Sequence, residues 1–236
     1  MVHMPSTNSI SVYEKDFQLK VSGQKGVLHP SEDLIRLVVR GKISASEPRA
    51  IALDFGVGDG RHVEYLMSLG YDVVGTDVAP SSIAVTRKLF HGNDRYRGVL
   101  LENCPTLPLP DNTVSLVVAW EVLHWLGSPE AFQQAVREFL RVLVRGGTIL
   151  LTMPTETHYL KRYSLEIGKS TYLCKTDTRM DCVFYSPNLF TLRHLLEKEL
   201  GLKIQQTLRY EYGSTATEMT LDERMSFYGL CLTRAN

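Results

Sequence analysis

The sequence lacks any net charge, because 26 Lys and Arg residues balance 26 Asp and Glu residues in a chain of 236. Proteins that bind nucleic acid or a membrane surface through charge normally carry a basic excess, so we expect neither partner. Disorder requires low hydrophobicity and high net charge, whereas 44% of these residues are hydrophobic. The 17 Gly and 10 Pro are too few for a collagen-like or low-complexity chain. What remains is an ordinary globular protein of one domain, with room for an inserted cap.

Paired cysteines and long apolar runs are also missing. The four cysteines show no CxxC pair and no zinc-type spacing with histidine, so we expect reduced packing residues and no metal; they are Cys104, Cys174, Cys182 and Cys231. The apolar run from Val114 to Leu126 is interrupted by Ser115, Glu121 and His124, which makes it unfit to span a bilayer. Residues 1–20 lack the apolar core of a signal peptide. These features favour a cytoplasmic protein.

Short apolar runs alternate with amphipathic stretches from about residue 49 to 154, which predicts an α/β fold with a mainly parallel sheet and helices on both faces. The predicted strands are Ala50–Phe55, Tyr71–Thr76, Arg97–Leu101, Val114–Trp120 and Thr148–Met153. Helices are predicted over Pro30–Arg40, over Arg61–Leu69, from Pro80, from Pro129 to Gly146 and from Pro187 to Gly201. Two longer runs, Leu202–Tyr212 and Arg224–Thr233, have no helix between them and should pair antiparallel.

These elements divide a single domain into four segments. Residues 1–48 form an N-terminal helical or lid segment, 49–154 a core, 155–185 an inserted cap, and 186–236 a helix with the last two strands. The cap segment is polar and aromatic without a clear period, and a loop of that length is either functional or locally structured.

The strongest motif is LDFGVGDGR, which lies between the first predicted strand and the next helix. Its three glycines, Gly56, Gly58 and Gly60, allow a sharp turn that brings a ligand against main-chain N–H groups at a helix start. Asp54 ends the strand and can accept a hydrogen bond from a ligand ammonium. A tight structural turn is the alternative interpretation of this segment alone.

A second carboxylate, Asp77, ends the next strand in the segment VVGTD. A carboxylate there can accept both hydroxyls of a ribose, although it can also cap the helix that begins at Pro80. A dinucleotide fingerprint would place its third glycine where Arg61 stands. Together the two motifs favour a cofactor that bears a nucleoside.

The glycine-rich segment resembles the motif of class I S-adenosylmethionine-dependent methyltransferases. LPLPDNTVSLVVAWEVLHWL (107–126), FLRVLVRGGTILLT (139–152) and FYSPNLFTLRHLLEKELGLKI (184–204) resemble further segments of their small-molecule group related to the quinone-biosynthesis enzymes. The resemblance runs from about residue 49 to the C-terminus, apart from 155–185. It implies a Rossmann-like seven-stranded sheet, mostly parallel with an antiparallel C-terminal strand. It also implies methyl transfer from S-adenosylmethionine to a small acceptor without a metal.

The same resemblance assigns site residues. Asp54, Phe55 and the three glycines would surround the methionine part of the cofactor, Asp77 the ribose, and Val78, Asn103 and Cys104 the adenine. Trp120 and Glu121 would line the methyl-donor pocket. Asn103 stands where the family usually has Asp, Ser115 replaces a common Asp, and Val144-Arg145 replaces Lys-Pro. These departures affect the assignment to the subgroup more than the assignment of the cofactor.

The acceptor side must come from outside these motifs. We expect the N-terminal segment and the cap to form a substrate lid that includes Tyr13, Tyr159, Arg162, Tyr163 and Tyr185, although these aromatics also suit plain packing over the sheet edge. His158, just beyond the fifth strand, is the better candidate base by location. Glu121 and His124 are further catalytic candidates, with a structural role favoured for His124, and Trp125 is expected in the core.

Two other functions stay open at this point. One is an NAD(P)-dependent oxidoreductase, disfavoured by the early third glycine and the antiparallel C-terminal pair. The other is a regulatory protein that binds the cofactor without turnover.

Overall fold

The computed structural model describes residues 14, 29–175, 181–212 and 224–234. Seven strands form one sheet: β1 (Ile51–Phe55), β2 (Asp72–Asp77), β3 (Tyr96–Leu100), β4 (Val114–Ala119), β5 (Leu143–Pro154), β9 (Leu202–Tyr212) and β10 (Met225–Arg234). Their spatial order is β3-β2-β1-β4-β5-β10-β9. The first five pair in parallel, whereas β10 runs antiparallel to both β5 and β9. The predicted α/β fold with its antiparallel C-terminal pair is confirmed.

Helices cover both faces of this sheet. They are α1 (Glu32–Gly41), α2 (Val63–Ser68), α3 (Pro80–Leu89), α4 (Pro129–Val142) and α6 (Leu189–His194), the last continued by a π-helical turn over Leu195–Glu199. One buried core packs α1, α2 and α3 against one face, and a second packs α4 and α6 against the other. Parallel strands buried on both faces explain why their sequences are continuous apolar runs.

Helix α4 shows how the local sequence sets its bounds. The Ser128 hydroxyl accepts a hydrogen bond from the Ala131 N–H at 3.1 Å, and Pro129 occupies the first turn. The helix ends at Val142, and β5 begins at once. The prediction that this helix extends to Gly146 was therefore wrong, because the apolar pattern of residues 139–143 continues into a buried strand.

The predicted cap has regular structure of its own. A short helix, α5 (Tyr159–Arg162), is followed by a separate antiparallel sheet of β6 (Ser164–Gly168), β7 (Thr171–Cys174) and β8 (Val183–Tyr185). Its small core contains Cys174, Cys182 and Phe184, with the Trp125 ring 6.1 Å from that of Phe184. A 3-10 turn over Leu123–Leu126 lies beneath it. The cap therefore rests on the segment that follows β4, beside the carboxyl ends of the parallel strands.

Candidate functional site

The turn between β1 and α2 is the glycine-rich segment. Gly56 and Gly58 have φ of +79° and +54°, a region that residues with a side chain rarely adopt. The N–H groups of Gly56 and Val57 donate to the Thr76 carbonyl at 2.8 and 2.9 Å, which ties the turn to the end of β2. A Cβ added at Gly58 would meet nothing nearer than the Gly56 carbonyl oxygen at 3.9 Å. The turn is thus held firmly but leaves open space beside Gly58.

Asp77, at the end of β2, braces the same turn. Its Oδ2 accepts the Gly58 N–H and its Oδ1 accepts the Ala79 N–H, both at 2.9 Å. The Ser82 hydroxyl lies 2.9 Å from Oδ2 and 2.6 Å from the Gly58 carbonyl oxygen, so its single proton serves one of them at a time. Burial raises the pKa of Asp77, and the backbone donors act against that shift. Oδ1 accepts only one of these bonds and keeps capacity for a second donor.

Asp54, at the end of β1, is a buried carboxylate with one unused oxygen. The residue is 1% exposed, and its Oδ2 has no hydrogen-bond partner among the residues described here. The Nδ1 of buried His62 lies 3.9 Å from its Oδ1, too far for a hydrogen bond. A buried anion without a donor is costly, so a cationic group placed here would stabilise the site.

The residues predicted near the adenine lie beside Asp77, beyond the ends of β2 and β3. Burial and the nearby Asp77 charge raise the pKa of the Cys104 thiol to about 12, so this side chain is neutral. Asn103 is exposed, and Val78 is half-buried against the core. Phe55 differs from the prediction, because its ring packs edge-on against Phe139 at 5.1 Å in the core. Its side chain therefore takes no part in the site.

Glu121, just beyond β4, is the centre of a polar cluster that joins distant parts of the chain. Its backbone has φ of +59°, and its N–H donates to the Thr152 hydroxyl at 2.6 Å. Its carboxylate accepts the hydroxyls of Tyr210 at 3.1 Å and Tyr212 at 2.8 Å, and a guanidinium N–H of Arg61 at 3.2 Å. Burial and the Glu121 charge raise the pKa of both tyrosines, so both remain donors. A carboxylate held by three donors suits positioning better than proton abstraction.

A cavity of about 400 Å³ lies between the glycine-rich turn, the end of β4 and the cap. Its walls are Gly56, Val57, Gly58, Asp59, Arg61, His62, Trp120, Glu121, His124, Trp125, His158, Tyr159, Leu160, Tyr212 and Met225. Ligand sites of α/β sheets normally lie at this carboxyl edge of the strands. Asp77 and Cys104 are not part of these walls, so the cavity adjoins the predicted methionine side of the cofactor site.

His158 is the N-cap of α5 and lines the cavity in a buried position. Its Nδ1 accepts the Leu160 N–H at 3.2 Å, so in the neutral ring the proton is on Nε2. Nε2 has no hydrogen-bond partner within the described part of the chain. Burial lowers the pKa of His158 to about 3, and the nearby charge of Lys161 contributes to the same shift. This arrangement makes His158 a hydrogen-bond donor rather than a ready acceptor of protons.

Three residues with rings near the end of β4 also line the cavity. His124 is buried, with its ring 4.6 Å from that of Trp125 and 5.8 Å from that of Phe227. Trp125, expected in the core, is half-buried and forms part of the cavity wall. The ring of Trp120 stacks on that of Tyr210 at 5.8 Å.

The predicted lid residues fall in different places. Tyr159 lines the cavity, whereas Arg162 and Tyr163 are exposed and lie outside its walls. Tyr185 is 2% exposed and packs against Phe132 in the main core, so the prediction of a lid role for Tyr185 was wrong. Tyr185 is the last residue of β8, where the chain leaves the cap sheet, and its ring belongs to the main core. Tyr13 lies outside the described residues.

Several wall residues were not predicted. Arg61 ends the glycine-rich motif and His62 follows it, so both could have been found from their position. Tyr212 lines the cavity, and Tyr210, two residues before it in β9, stacks on it from the same face of the strand. Among the described residues, no group of three or more His, Cys, Asp or Glu side chains is placed to hold a metal ion. None of the described helices has both the length and the apolar character needed to cross a membrane.

The part of the chain from β1 to β5 is similar to a known protein family. Residues 53–151 match the family model described as a methyltransferase domain. A probable S-adenosylmethionine-dependent methyltransferase from Mycolicibacterium smegmatis is 29% identical over 167 residues, which are 71% of this chain and 57% of that protein. An uncharacterized methyltransferase from Mycobacterium tuberculosis is 32% identical over 108 residues, 46% of this chain and 41% of that protein. The alignments thus cover about half the length of these curated relatives.

Solved structures share the fold at low identity. An S-adenosylmethionine-dependent methyltransferase from Methanosarcina mazei has a TM-score of 0.68 and 17% identity, and the match covers 84% of this chain and 97% of that one. A 1,6-didemethyltoxoflavin N1-methyltransferase from Burkholderia thailandensis has a TM-score of 0.65 and 15% identity, with 100% and 92% covered. These findings show the Rossmann-like methyltransferase fold. The chain is thus similar to S-adenosylmethionine-dependent methyltransferases, and the part that matches the domain family is residues 53–151.

The residues present suit this cofactor. The unused Oδ2 of Asp54 would accept its ammonium, and the open space at Gly58 lets a ligand approach the backbone. Asp77 can accept a ribose hydroxyl at Oδ1.

Proposed function

We propose that the protein transfers the methyl group of S-adenosylmethionine to a small-molecule acceptor that binds in the cavity beneath the cap. The observation that carries this proposal is the position of the cavity, whose walls include both the glycine-rich turn and the cap. Resemblance to the quinone-biosynthesis-related group supports a small acceptor. The Burkholderia neighbour, crystallised with 1,6-didemethyltoxoflavin and S-adenosylhomocysteine, supports the same reading. The buried thiols Cys104 and Cys231, which form no disulfide, support the predicted cytoplasmic location.

When bound, S-adenosylmethionine supplies a methyl group attached to a positively charged sulfur. A lone pair of the acceptor would form a bond to the methyl carbon, while the carbon–sulfur bond would break and leave its electron pair on sulfur. The protein's part is to align donor and acceptor and to exclude water. Asp54 would hold the cofactor ammonium, and Asp77 would hold its ribose. The cap contributes His158, Tyr159 and Leu160 to the far wall of the cavity.

The three catalytic candidates receive different roles. Glu121 is a positioning residue, because it fixes Arg61, Tyr210 and Tyr212 around the cavity. His158 donates a hydrogen bond from Nε2 to the acceptor. His124 lines the same cavity and is the candidate to receive a proton from an O–H or N–H acceptor.

The test is release of S-adenosylhomocysteine from S-adenosylmethionine with a panel of small oxygen, nitrogen and sulfur nucleophiles. We expect at least one acceptor to give product, and the His124→Asn variant to slow turnover without weakening cofactor binding. Tight cofactor binding with no product across the panel would instead support a regulatory protein that does not turn over.

A further inference from the structure

Rings form much of the wall of the cavity beneath the cap. Seven of its fifteen wall residues carry one: His62, Trp120, His124, Trp125, His158, Tyr159 and Tyr212. Four aromatic rings on one side of the cavity have nearly parallel planes. The plane of the Tyr210 ring is inclined by only 7° to that of Tyr212, 11° to that of Trp120 and 23° to that of Phe227. Flat surfaces of this kind offer large contact area to another flat ring.

The charged wall residues leave little unpaired charge inside. Arg61 and Glu121 form an ion pair at 3.2 Å, and Glu121 also accepts two tyrosine hydroxyls. The remaining charged wall residue, Asp59, is exposed. A cationic amine would need a free carboxylate, and an anionic acceptor would need a free cation. The walls described here thus favour a neutral acceptor.

Two buried donors give the cavity a polar preference. The Nε2 of His158 and the Nε1 of Trp120 belong to wall residues, and neither has a partner among the residues described. A buried donor without a partner is costly, and an acceptor oxygen on a ligand relieves that cost. The volume of about 400 Å³ is at the lower end of ordinary small-molecule sites and limits the ligand to a compact one.

We propose that the methyl acceptor is a compact, neutral aromatic or heteroaromatic ring that carries a carbonyl or hydroxyl oxygen. Its ring packs against Tyr212 and its neighbours, and its oxygen accepts the Nε2–H of His158. This inference rests on the proposed function, since it describes the acceptor of the same transfer.

The experiment measures dissociation constants by titration calorimetry with the protein saturated with S-adenosylhomocysteine. The probes are 4-hydroxyquinoline, quinoline, which lacks the oxygen, and 1-decalone, a neutral ketone of similar size that lacks the flat ring. We expect 4-hydroxyquinoline to bind about fivefold more tightly than quinoline, the usual effect of one net hydrogen bond. It should bind roughly two- to twelvefold more tightly than the saturated ketone.

Variants separate the two contacts. In His158→Asn the amide oxygen can still accept the Leu160 N–H, but the donor at Nε2 is lost, so 4-hydroxyquinoline and quinoline should bind equally. Tyr212→Leu should weaken both aromatic probes, whereas Tyr212→Phe keeps the ring and most of the affinity. Phe190→Leu, at an 82% exposed ring outside the cavity walls, is the matched control and should change nothing.

Three results would overturn the assignment: equal binding of the saturated ketone, an oxygen preference that persists in His158→Asn, or no measurable binding of any probe. Melting curves with S-adenosylhomocysteine are recorded in parallel. If that ligand gives no shift while the aromatic probes still bind, the proposed function fails and the ligand class stands.

Discussion

Replacing Gly56 by alanine tests the geometry of the glycine-rich turn most severely. The residue has φ of +79°, and an added Cβ would lie 2.5 Å from Val122 Cγ2 and 2.9 Å from Val122 Cβ. The left-handed backbone costs alanine about 1–2 kcal/mol, and overpacking adds about 1–3 kcal/mol. The sum, about 2–5 kcal/mol, corresponds to a fall in melting temperature of roughly 4–20 °C in a chain of this size.

Gly146→Ala is the control, because Gly146 has nearly the same φ of +77° but nothing within 4 Å of an added Cβ. Its free energy of unfolding should fall only by the cost of the left-handed backbone, about 1–2 kcal/mol. The assay is thermal unfolding followed by circular dichroism, with and without S-adenosylhomocysteine. Adding Val122→Ala to Gly56→Ala should recover part of the loss. Equal melting temperatures for the two glycine variants would refute the packing of the turn against Val122.

Three further predictions concern single side chains. Asp54→Asn should weaken the binding of S-adenosylhomocysteine, measured by calorimetry, about 10- to 100-fold, since a charged acceptor is lost. The control is Asp94→Asn, at an exposed position, and equal affinities of the two variants would contradict the ammonium contact. His158, with its pKa lowered to about 3, stays neutral when folded but binds a proton when unfolded below about pH 6.5. Stability should therefore fall with decreasing pH between about 6.5 and 3, by up to about 1.4 kcal/mol per pH unit, and the slope should be smaller in His158→Asn; an unchanged slope would argue against a buried neutral ring. Arg141→Lys should lower the free energy of unfolding in urea by about 1–3 kcal/mol, because Arg141 donates to the carbonyls of Leu107 and Leu109 as well as to Glu138. The control is Arg137→Lys, exposed on the same helix, which should leave the free energy of unfolding unchanged. Similar losses in the two variants would exclude this anchoring role.

The strands and the glycine-rich turn were largely predictable because they depend on local signals. Continuous apolar runs mark strands buried on both faces, and Gly56 to Gly60 mark a turn that only glycine tolerates. The end of α4 was misplaced, since the apolar pattern does not change where the helix becomes β5. The cap sheet was not predicted, because its edge strand β6 is almost wholly exposed and shows no alternation.

The polar cluster around Glu121 was the least predictable part of the site. Arg61, Glu121 and Tyr212 come from three distant segments, and only the assembled sheet, with β9 at its edge, brings them together. The positive φ of Glu121 has no sequence signal either, because glutamate does not favour that conformation. Its several contacts compensate for a strain of about 1–3 kcal/mol.

The central claim is that the glycine-rich turn, Asp54 and Asp77 form a site for S-adenosylmethionine. Titration calorimetry of the purified chain with S-adenosylhomocysteine, NAD and NADP tests it most directly. The account predicts saturable binding of S-adenosylhomocysteine and none of either nicotinamide cofactor. Binding of NAD or NADP alone would contradict it.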